Sequence, residues 1–406
     1  MEKVIIIGGG PSGIVAGIFA KRKNNEVIIL ERNSKPLKKL LMTGNGKCNF
    51  FNEVYGDNCY YSEDKDMVSQ IISSDNIKLV ENFFDSLGII YKVKNGYYYP
   101  FSNQASTFAK ALLDFAKYKG VKIICDSLVT DIKKKKSSFF VTCLNKNYKC
   151  DKLILATGSK AYSNTGSDGR GYSFLKRFSH KIIEPVPALV PLVISTPIKE
   201  WAGVRTDVEL ELFENGEFLE KEDGEIQLTS YGISGICTFN LSHVISRGLA
   251  LKKTEVVKIN FVPFIKTLIS PWMHQYSKKH SEKNLGDLLE GFLNYKLVLV
   301  ILKKCGLSKF SFYQDLKNED KLLLCKNLRS FPVEIIGTKD FDSAQVCNGG
   351  VKLSEIDVQN MESRKVPNLY VVGELLDING KCGGYNLTTC WITGMLAGRS
   401  IGGNCD

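Results

Sequence analysis

The stretch VIIIGGGPSG, residues 4–13, begins with a short apolar run and continues directly into closely spaced glycines. A β-branched run of this length, bounded by glycine, is typical of a buried parallel strand. Gly8, Gly10 and Gly13 occupy the three positions of the G-x-G-x-x-G pattern of dinucleotide-binding proteins. The first glycine permits the tight turn, the second leaves room for a pyrophosphate, and the third permits close helix packing. The sequence therefore predicts a phosphate-binding turn immediately after the first strand.

A helix and a second strand follow the glycine turn. Residues 14–20 are small and apolar, which is typical of a helix packed on a sheet, and a second apolar run at residues 27–30 is followed by Glu31. The amino end of such a helix offers N–H groups and a partial positive charge to phosphate. Glu31 is expected to accept hydrogen bonds from the adenosine ribose, and its charge disfavours a ribose 2′-phosphate. The predicted cofactor contacts in this unit are Gly8, Gly10, Pro11, Ser12, Gly13, Glu31 and Arg32.

Two later segments favour FAD over NAD as the dinucleotide. A predicted strand at residues 151–155 runs into Ala156-Thr157-Gly158, another at residues 368–372 runs into Gly373-Glu374, and a final helix is predicted from the Gly383-Gly384 pair to about Ile401. These segments resemble the Ala-Thr-Gly and Gly-acid motifs of flavoproteins of the two-dinucleotide-binding-domain type. In that class FAD lies extended. Its pyrophosphate is at the first helix, its ribitol is near the Gly-acid turn, and its isoalloxazine is at the last helix.

This resemblance implies roles for three residues near the C-terminus. Glu374 would contact ribitol or phosphate oxygens, and the backbone N–H groups of Asn386 and Leu387 would face the N1/O2 edge of the flavin. The dipole of the last helix would stabilise the reduced, anionic flavin. The alternatives are a solvated turn carboxylate for Glu374 and a plain N-cap for Asn386. No second G-x-G-x-x-G follows a strand, so NAD(P)H is expected to dock only transiently, at the flavin face.

The motifs taken together are similar to those of one flavoprotein family. They are Thr43 to Asn49 (TGNGKCN), Ala156 to Lys160, Thr165 to Gly169, Gly349 to Val351, Met361 to Ser363, Gly373-Glu374 and Gly383 to Asn386. The set spans residues 3 to about 401 and resembles the BaiN/RdsA-type family of NAD(P)/FAD-dependent oxidoreductases, also called aminoacetone-oxidase-like FAD-binding enzymes. The cofactor contacts that these motifs imply are Gly44, Asn45, Gly46, Lys47, Cys48, Asn49, Ala156, Thr157, Gly158, Gly373, Glu374, Gly384, Tyr385, Asn386 and Leu387.

The family resemblance has implications for fold, cofactor and activity. The implied fold class is α/β, with an FAD-binding Rossmann-like domain interrupted by a β-rich domain that carries a helical insert. The implied cofactor is FAD. Some members resemble ene-reductases for steroid-like bile acid intermediates, whereas others reduce a uridine of large-subunit (23S) ribosomal RNA to dihydrouridine. One departure is Cys382, which stands where the family often has threonine before the Gly-Gly pair.

The hydrophobic pattern changes along the chain and predicts the domain boundaries. Short alternating runs and the Asn215-Gly216 pair indicate antiparallel strands with a two-residue hairpin, and residues 229–235 read as a turn-rich loop. The stretch from 264 to 330 instead has leucine and lysine at helical spacing. The expected parts are 1–190 (FAD domain, first part), 191–263 (β-rich domain), 264–330 (helical insert), 331–344 (β-rich return) and 345–406 (FAD domain, second part).

The chain carries a net charge of +11, which fits a nucleic acid or phosphate-rich partner or a lysine-rich background composition. The helical insert holds 12 Lys and Arg against 6 Asp and Glu, interleaved with Trp272, Tyr276 and two histidines. It is a candidate ribosomal RNA contact surface, or a solvated basic face of an amphipathic segment. The run Lys133 to Lys136 is predicted to be a solvated hairpin tip, with RNA phosphate contact as the alternative.

Cysteine and histidine usage argues against metal sites. The twelve cysteines form no Cys-x-x-Cys pair, and the four histidines have no metal-ligand spacing. We therefore expect no metal, neither a zinc ribbon nor an iron–sulfur cluster. No signal-peptide pattern and no membrane-spanning apolar run occurs, and unpaired thiols are typical of a reducing compartment. The expectation is a cytoplasmic location without a membrane partner.

Flavin-dependent reduction of a conjugated double bond requires a proton donor besides the hydride. Cys48 is the first candidate, since it lies in the glycine-rich loop and the neighbouring Lys47 would favour its thiolate. The alternative is a packed cysteine that positions the flavin. Asn45 and Asn49 are candidates for holding flavin or substrate carbonyls. Secondary candidates for direct chemistry are Cys347, Cys382 and Tyr385.

Three functions remain open at this stage. The first is an RNA-modifying flavoenzyme that makes dihydrouridine in 23S ribosomal RNA, which the basic insert favours. The second is a small-molecule ene-reductase or oxidase with a steroid-like, quinone-like or amine substrate. The third is a non-catalytic flavin-binding redox sensor, which the complete set of flavin-edge motifs disfavours.

Overall fold

The computed structural model describes residues 1–144 and 146–403, without the side chain of residue 57. The strands are β1 (Glu2–Ile7), β2 (Asn25–Leu30), β3 (Phe51–Asn52), β4 (Tyr60–Tyr61), β5 (Tyr91–Lys94), β6 (Tyr97–Pro100), β7 (Lys122–Ile124), β8 (Val129–Lys135), β9 (Ser138–Cys143), β10 (Asn147–Cys150), β11 (Lys152–Leu155), β12 (Ile182–Ala188), β13 (Leu192–Ile194), β14 (Arg205–Glu214), β15 (Glu217–Leu228), β16 (Gly232–Gly235), β17 (Glu255–Asn260), β18 (Phe331–Thr338), β19 (Val346–Val351), β20 (Leu369–Val371) and β21 (Asn379–Gly380).

The α-helices are α1 (Pro11–Ala20), α2 (Lys38–Met42), α3 (Lys65–Ile71), α4 (Ser74–Ser86), α5 (Ala105–Tyr118), α6 (Arg170–Arg177), α7 (Ile236–Ala250), α8 (Ile269–Lys279), α9 (Leu285–Glu290), α10 (Tyr295–Cys305), α11 (Asn318–Arg329) and α12 (Tyr385–Gly402). The chain divides into two compact units. The first is Met1–Val186 with the chain from Ala344 onward, and the second is Pro187–Ser343. Among the helices described here, none combines the length and apolarity needed to cross a membrane.

A parallel sheet of five strands, in the order β20-β11-β1-β2-β7, forms the centre of the first unit. Ile5 of β1 pairs with Leu153 on one side and with Ile28 on the other. All three side chains are buried, which explains why these strands are continuous apolar runs. This sheet, with a helix directly after β1, confirms the predicted α/β Rossmann-like fold class.

Helices α1 and α12 pack closely because glycines face the contact. A Cβ atom at Gly398 would lie 2.6 Å from the Cβ of Phe19, and one at Gly394 would lie 2.6 Å from the Ser12 carbonyl oxygen. A side chain at either position would therefore push the helices apart. The contact holds the beginnings of α1 and α12, the two predicted cofactor elements, in one rigid arrangement.

Smaller antiparallel sheets flank the parallel sheet in the first unit. Strands β8, β9 and β10 form a meander, and Lys135 pairs with Ser138 at its first turn. Lys136 lies in that turn with a φ of 53°, so the lysine run does end at a hairpin tip. Lys133 to Lys135 belong to strand β8, so the expectation of a loop at those residues was wrong, because they pair with β9. Strands β3, β6 and β5 form a second sheet, and β21 pairs with β4.

The second unit contains a closed barrel, in the order β13-β16-β15-β14-β17-β18. Asn215 and Gly216 join β14 to β15 with φ angles of 51° and 91°, as expected for the predicted two-residue hairpin. Residues 232–235 form strand β16, so the expectation of a loop there was wrong. Strand β16 pairs with both β13 and β15, and a Cβ atom at Gly232 would lie 2.0 Å from the Leu192 carbonyl oxygen. The small residues that suggested a loop allow this close approach between strands.

Between β17 and β18 the chain forms the four helices α8 to α11, the predicted helical insert. Leucines at helical spacing are buried, including Leu288 and Leu297. Trp272 stacks on Tyr276 with ring centroids 4.9 Å apart, and both rings contact Phe292 edge-on. These aromatic side chains therefore serve packing within the insert.

Candidate functional site

The carboxyl ends of β1, β2 and β11 and the beginning of α1 surround one cleft in the first unit. The space within it, open solvent at its mouth included, is about 960 Å³. Eleven of the residues predicted to bind the cofactor line it: Gly8, Gly10, Pro11, Ser12, Glu31, Arg32, Ala156, Thr157, Gly158, Glu374 and Leu387. Segments far apart in the chain thus meet around a single site.

The three glycines of the turn have different surroundings. Gly8 has a φ of 110°, and a Cβ atom there would lie 2.3 Å from the Ala156 carbonyl oxygen. A Cβ atom at Gly13 would lie 2.0 Å from the carbonyl oxygen of Gly8. A Cβ atom at Gly10 would meet no atom within 4 Å. Gly8 and Gly13 are therefore required by packing, whereas Gly10 leaves open space at the amino end of α1.

Glu31 braces the glycine turn from the end of β2. Its Oε2 atom accepts a hydrogen bond from the Gly9 N–H at 2.7 Å. Its Oε1 atom accepts from the backbone N–H and the side-chain amide of Asn33, each at 2.7 Å. The carboxylate is 6% exposed and forms part of the cleft wall. Each carboxylate oxygen has more than one lone pair, so Glu31 can also accept from a ribose hydroxyl.

Glu374 is held in the cleft by two partners. Lys39 approaches its Oε2 atom at 2.6 Å, and the Ser159 hydroxyl donates to the same oxygen at 3.0 Å. The alternative of a solvated turn carboxylate does not describe this arrangement, because Glu374 is paired and only partly exposed. Sequence reasoning did not find Lys39. The available signal was its position between Glu31 and the glycine-rich loop, where a cation would serve a phosphate site.

Arg32 and Arg170 approach the cleft from another side and share one carboxylate, Asp168. Burial alone would raise the pKa of Asp168, but hydrogen bonds from Arg32 and the Arg170 backbone N–H hold that pKa below its usual value. Asp168 belongs to the 165–169 motif, so its presence in a resemblance motif was the signal for a site role. Among the lining residues that the sequence did not single out for the site are the polar side chains of Asn33, Lys38, Lys39, Ser127, Thr165, Ser167, Asp168 and Arg170.

The residues of the cleft fit an extended dinucleotide such as FAD. The open space at Gly10 lies at the amino end of α1, where N–H groups are available to a pyrophosphate. The Thr157 hydroxyl oxygen is buried in the cleft wall without a hydrogen-bond partner among the described residues. A Cβ atom at Gly171 would lie 2.1 Å from this oxygen, so the Thr157 hydroxyl lies against the start of α6. Glu31 lies at the ribose end and Leu387 at the start of α12.

Nine of the remaining predicted cofactor residues form a second cluster that does not line this cleft, and Gly13 packs against the Gly8 carbonyl oxygen without lining it either. The loop from residue 43 to residue 49 leads into β3, which packs against the glycines before α12. A Cβ atom at Gly384 would lie 2.7 Å from the Phe51 carbonyl oxygen, and Asn52 donates a side-chain hydrogen bond to the Gly383 carbonyl at 2.9 Å. The cluster comprises Gly44, Asn45, Gly46, Lys47, Cys48, Asn49, Gly384, Tyr385 and Asn386. Gly373, which also lies outside the cleft lining, packs on the Ser12 side chain.

Asn386 has a structural task that the sequence did not reveal. Its Oδ1 atom accepts from the Gly380 N–H at 2.8 Å, and its Nδ2 atom donates to the Gly380 carbonyl at 2.8 Å. Gly384 is the N-cap of α12, so the alternative of Asn386 as a plain N-cap was wrong. The backbone N–H groups of Asn386 and Leu387 lie in the first turn, where no partner exists within the helix.

Three of the proton-donor candidates, Cys48, Cys347 and Tyr385, are buried, whereas Cys382 is partly buried. Cys48 is 0% exposed, and burial raises the pKa of its thiol to about 12 despite a hydrogen bond with Thr43. The expectation that Lys47 favours a thiolate was therefore wrong, because desolvation outweighs the neighbouring charge. Burial also raises the pKa of Cys382 to about 11 and that of Cys347 above its usual value. Tyr385 packs edge-on against Tyr60, with ring centroids 5.7 Å apart.

Two tyrosines of β6 lie beside the glycine loops and were not found from the sequence. A Cβ atom at Gly383 would lie 2.6 Å from Cε1 of Tyr97, and one at Gly44 would lie 3.7 Å from Cε1 of Tyr99. The available signal was the run of three tyrosines at residues 97–99. Within residues 1–144 and 146–403, no three His, Cys, Asp or Glu side chains are grouped to hold a metal ion.

Comparison with known proteins gives one family and several relatives. The family described as "HI0933-like protein Rossmann domain" matches residues 2–400. The 3-dehydro-bile acid delta(4,6)-reductase of Clostridium scindens is 36% identical, covering 98% of this chain and 99% of that protein. The ribosomal RNA dihydrouridine synthase of Escherichia coli is 27% identical, covering 98% and 97%. A solved 3-ketosteroid-delta4-(5alpha)-dehydrogenase from Rhodococcus jostii is 15% identical with a TM-score of 0.47, covering 99% and 97%.

Proposed function

The chain belongs to the HI0933-like Rossmann family and is an FAD-dependent oxidoreductase, and from this premise we propose that it reduces a carbon–carbon double bond conjugated with a carbonyl group. Relatives named for bile acid delta(4,6) reduction and for dihydrouridine synthesis support this reaction class. In both substrates the double bond is activated by a carbonyl, so hydride and proton addition follow one chemical logic. The cleft with its glycine turn carries the FAD part of the proposal, and the similarity to the bile acid reductase over 98% of this chain is the single observation that carries the reaction class.

Uridine in 23S ribosomal RNA is the proposed substrate. The helical insert has an excess of six basic over acidic residues, and Lys278 and Lys279 at the end of α8 are exposed. Exposed lysines can neutralise phosphates whatever the base sequence. The relatives named ribosomal RNA dihydrouridine synthases match this chain over 98% of its length. This substrate would place the enzyme in the cytoplasm.

A small-molecule enone is the second candidate substrate. The bile acid reductase is 36% identical to this chain, against 27% and 25% for the two RNA-modifying relatives. A steroid-like ring system would need an apolar surface at the site instead of phosphate contacts. The two candidates share the reaction and the cofactor, and they differ in how the rest of the substrate is bound.

The residues of the chain have distinct proposed tasks. FAD, when bound, supplies the hydride to the substrate carbon. Residues of the α1 turn hold its pyrophosphate, Glu31 accepts from the ribose, and Lys39 balances the charge of Glu374 beside the ribitol. Cys48, Cys382 and Tyr385 remain the candidates for the proton donor. We propose NAD(P)H as the electron donor, docking transiently at the flavin.

The test is mass-spectrometric mapping of ribosomal RNA from a strain that lacks the gene. Loss of one dihydrouridine, restored by the wild-type gene and not by Gly10→Val, is the expected result. An intact modification profile, together with reduction of a 3-oxo-Δ4 steroid by the purified protein, would select the second candidate. A purified protein that binds no FAD would contradict both.

A further inference from the structure

Two regions of the second unit carry opposite charge. The β14–β15 hairpin, residues 205–228, holds nine acidic residues against two basic ones, whereas the helical insert holds twelve basic against six acidic. Strand β17 connects them. Glu255 at its beginning pairs with Glu214 beside the hairpin turn, and the chain enters the insert after Asn260 at its other end. A polyanion that approaches this unit is therefore attracted to the insert and repelled by the hairpin.

Phe310, in the loop after α10, has the most exposed aromatic side chain of the insert, at 71%. The backbone on both sides of it is held against the start of α9. The Lys309 carbonyl accepts from the Gly286 N–H at 2.8 Å, and the Ser311 carbonyl accepts from the Leu285 N–H at 2.6 Å. The ring is therefore presented to solvent by a fixed loop, which lowers the entropy that a ligand must overcome on binding.

A cation accompanies the exposed ring. The Lys309 Nζ atom lies 5.0 Å from the centroid of the Phe310 ring. Phe312, two residues further along, is also exposed, at 39%. The loop from residue 306 to residue 312 contains no acidic residue. Exposed rings beside a lysine match a ligand in which flat aromatic groups are joined by negative charges, as bases are in a single-stranded nucleic acid.

We propose that this loop, the Phe310 loop (residues 306–312), binds single-stranded RNA, with one base stacked on the Phe310 ring and Lys309 beside an adjacent phosphate. An unpaired base can leave its neighbours to stack on an aromatic side chain, whereas the bases of a duplex are held in their own stack. The choice of RNA over single-stranded DNA rests on the proposed function. A symmetric contact with a second copy of this chain would instead bring two basic inserts together, which like-charge repulsion disfavours.

The stacking contact is tested by fluorescence anisotropy of the full-length protein with a labelled oligouridine of about twelve nucleotides, within the length that one single-strand site covers. Phe310→Ala should weaken binding about five- to a hundredfold, the range for one lost base stack, and Phe310→Trp should retain it. Phe218→Ala is the matched control, because Phe218 is 58% exposed but lies in the acidic hairpin. Its affinity should equal that of the wild type.

The phosphate contact is tested by repeating the titrations at several salt concentrations. Lys309→Gln should lower the slope of log affinity against log salt by about 0.7, the value for one phosphate of a single strand, whereas Phe310→Ala should leave the slope unchanged. An unchanged slope in Lys309→Gln would overturn the lysine contact. Wild-type affinity in Phe310→Ala, or equal losses in Phe310→Ala and Phe218→Ala, would overturn the inference.

Analytical ultracentrifugation checks whether a second copy of the chain covers the ring. A wild-type dimer that Phe310→Ala converts to a monomer would also overturn the inference. None of these measurements requires FAD or turnover, so they are separate from the test of the proposed function. Oligouridine binding with the expected responses, together with an intact dihydrouridine profile in the strain that lacks the gene, would overturn the proposed substrate and leave the binding surface in place.

Discussion

Glu255, the first residue of β17, is an unusual carboxylic acid. Both of its oxygens are buried and have no hydrogen-bond partner among the described residues. Burial, together with the charge of Glu214 on the paired strand, raises the pKa of Glu255 to about 7, although Lys253 acts in the opposite direction. Lys253 makes its hydrogen bond with Glu214, at 2.7 Å. The carboxyl group of Glu255 is therefore tolerated mainly in its protonated form.

This predicts a pH-dependent stability that Glu255→Gln removes. Because the folded-state pKa lies above the ordinary value of 4.5, the contribution to stability is full below pH 4.5 and is lost as the pH rises through 7. Thermal unfolding gives the free energy of unfolding of each protein. The value for Glu255→Gln minus that for wild type should be larger at pH 8 than at pH 5 by about 1–3 kcal/mol. Glu217→Gln, at an exposed position, is the control. The same dependence of unfolding free energy on pH in wild type and Glu255→Gln would contradict the assignment.

Cys48 gives a second prediction at the level of one residue. A thiol with a pKa of about 12 is almost entirely protonated at pH 8, and its burial also blocks reagents. We expect iodoacetamide to alkylate Cys48 in the folded protein at least about a thousandfold more slowly than in the urea-unfolded chain, because the thiolate is the nucleophile. Peptide mass spectrometry measures the rate. Rapid alkylation of Cys48 in the folded protein would indicate an accessible thiolate and contradict this prediction.

At the level of elements, the turn between β1 and α1 separates cofactor binding from folding. Gly10 has an extended backbone, with a φ of −76°, and its missing side chain faces open space. Gly10→Val should therefore fold normally while its side chain occupies the pyrophosphate position, and FAD affinity should fall at least about a hundredfold, which corresponds to two hydrogen bonds or more. Circular dichroism and FAD titration measure the two effects. A variant that purifies with bound FAD would show that the pyrophosphate lies elsewhere.

Substitution of Gly13, the third glycine of the same turn, should instead affect folding stability. A Cβ atom at Gly13 would lie 2.0 Å from the Gly8 carbonyl oxygen, so the helix cannot stay where it is. Gly13→Ala should lower the free energy of unfolding by about 1–3 kcal/mol, as overpacking does in other cores. Urea unfolding of the apoprotein measures this change. Wild-type stability in Gly13→Ala would mean that α1 can shift freely on the sheet.

At the level of the whole molecule, the positive charge offers a test of the RNA substrate. Replacing Lys278 and Lys279 by glutamate should weaken binding of a ribosomal RNA fragment and lower the slope of log affinity against log salt by about 2, since two phosphate contacts are lost. FAD binding should not change, because the cleft lies in the other unit. Filter binding at several salt concentrations measures the slope.

The matched control reverses two charges on the first unit. Lys135 and Lys136, at the tip of the β8–β9 hairpin, are also exposed. Their replacement by glutamate changes the net charge by the same amount and should leave the salt slope near that of wild type. Equal loss of binding in the two double variants would indicate a response to net charge alone.

Local sequence patterns determined much of this protein. The apolar run before Gly8, the spacing of the three glycines, Glu31 at the end of the second strand and the Asn215-Gly216 hairpin all act over a few residues. Backbone conformation and strand burial are decided at that range, because they depend on side-chain size, φ preference and alternation. The α/β class, the phosphate-binding turn and the hairpins could therefore be predicted.

Tertiary structure alone decided the partners and the burial of individual groups. Lys39 pairs with Glu374, which is 335 positions away in the sequence. The thiol of Cys48 is neutral because it is buried in the core, and burial raises its pKa. Strand β16 became part of a closed barrel because β13 and β15 both came within hydrogen-bonding distance. Ion pairing and desolvation depend on which atoms are near one another in space, and a one-dimensional pattern does not contain those distances.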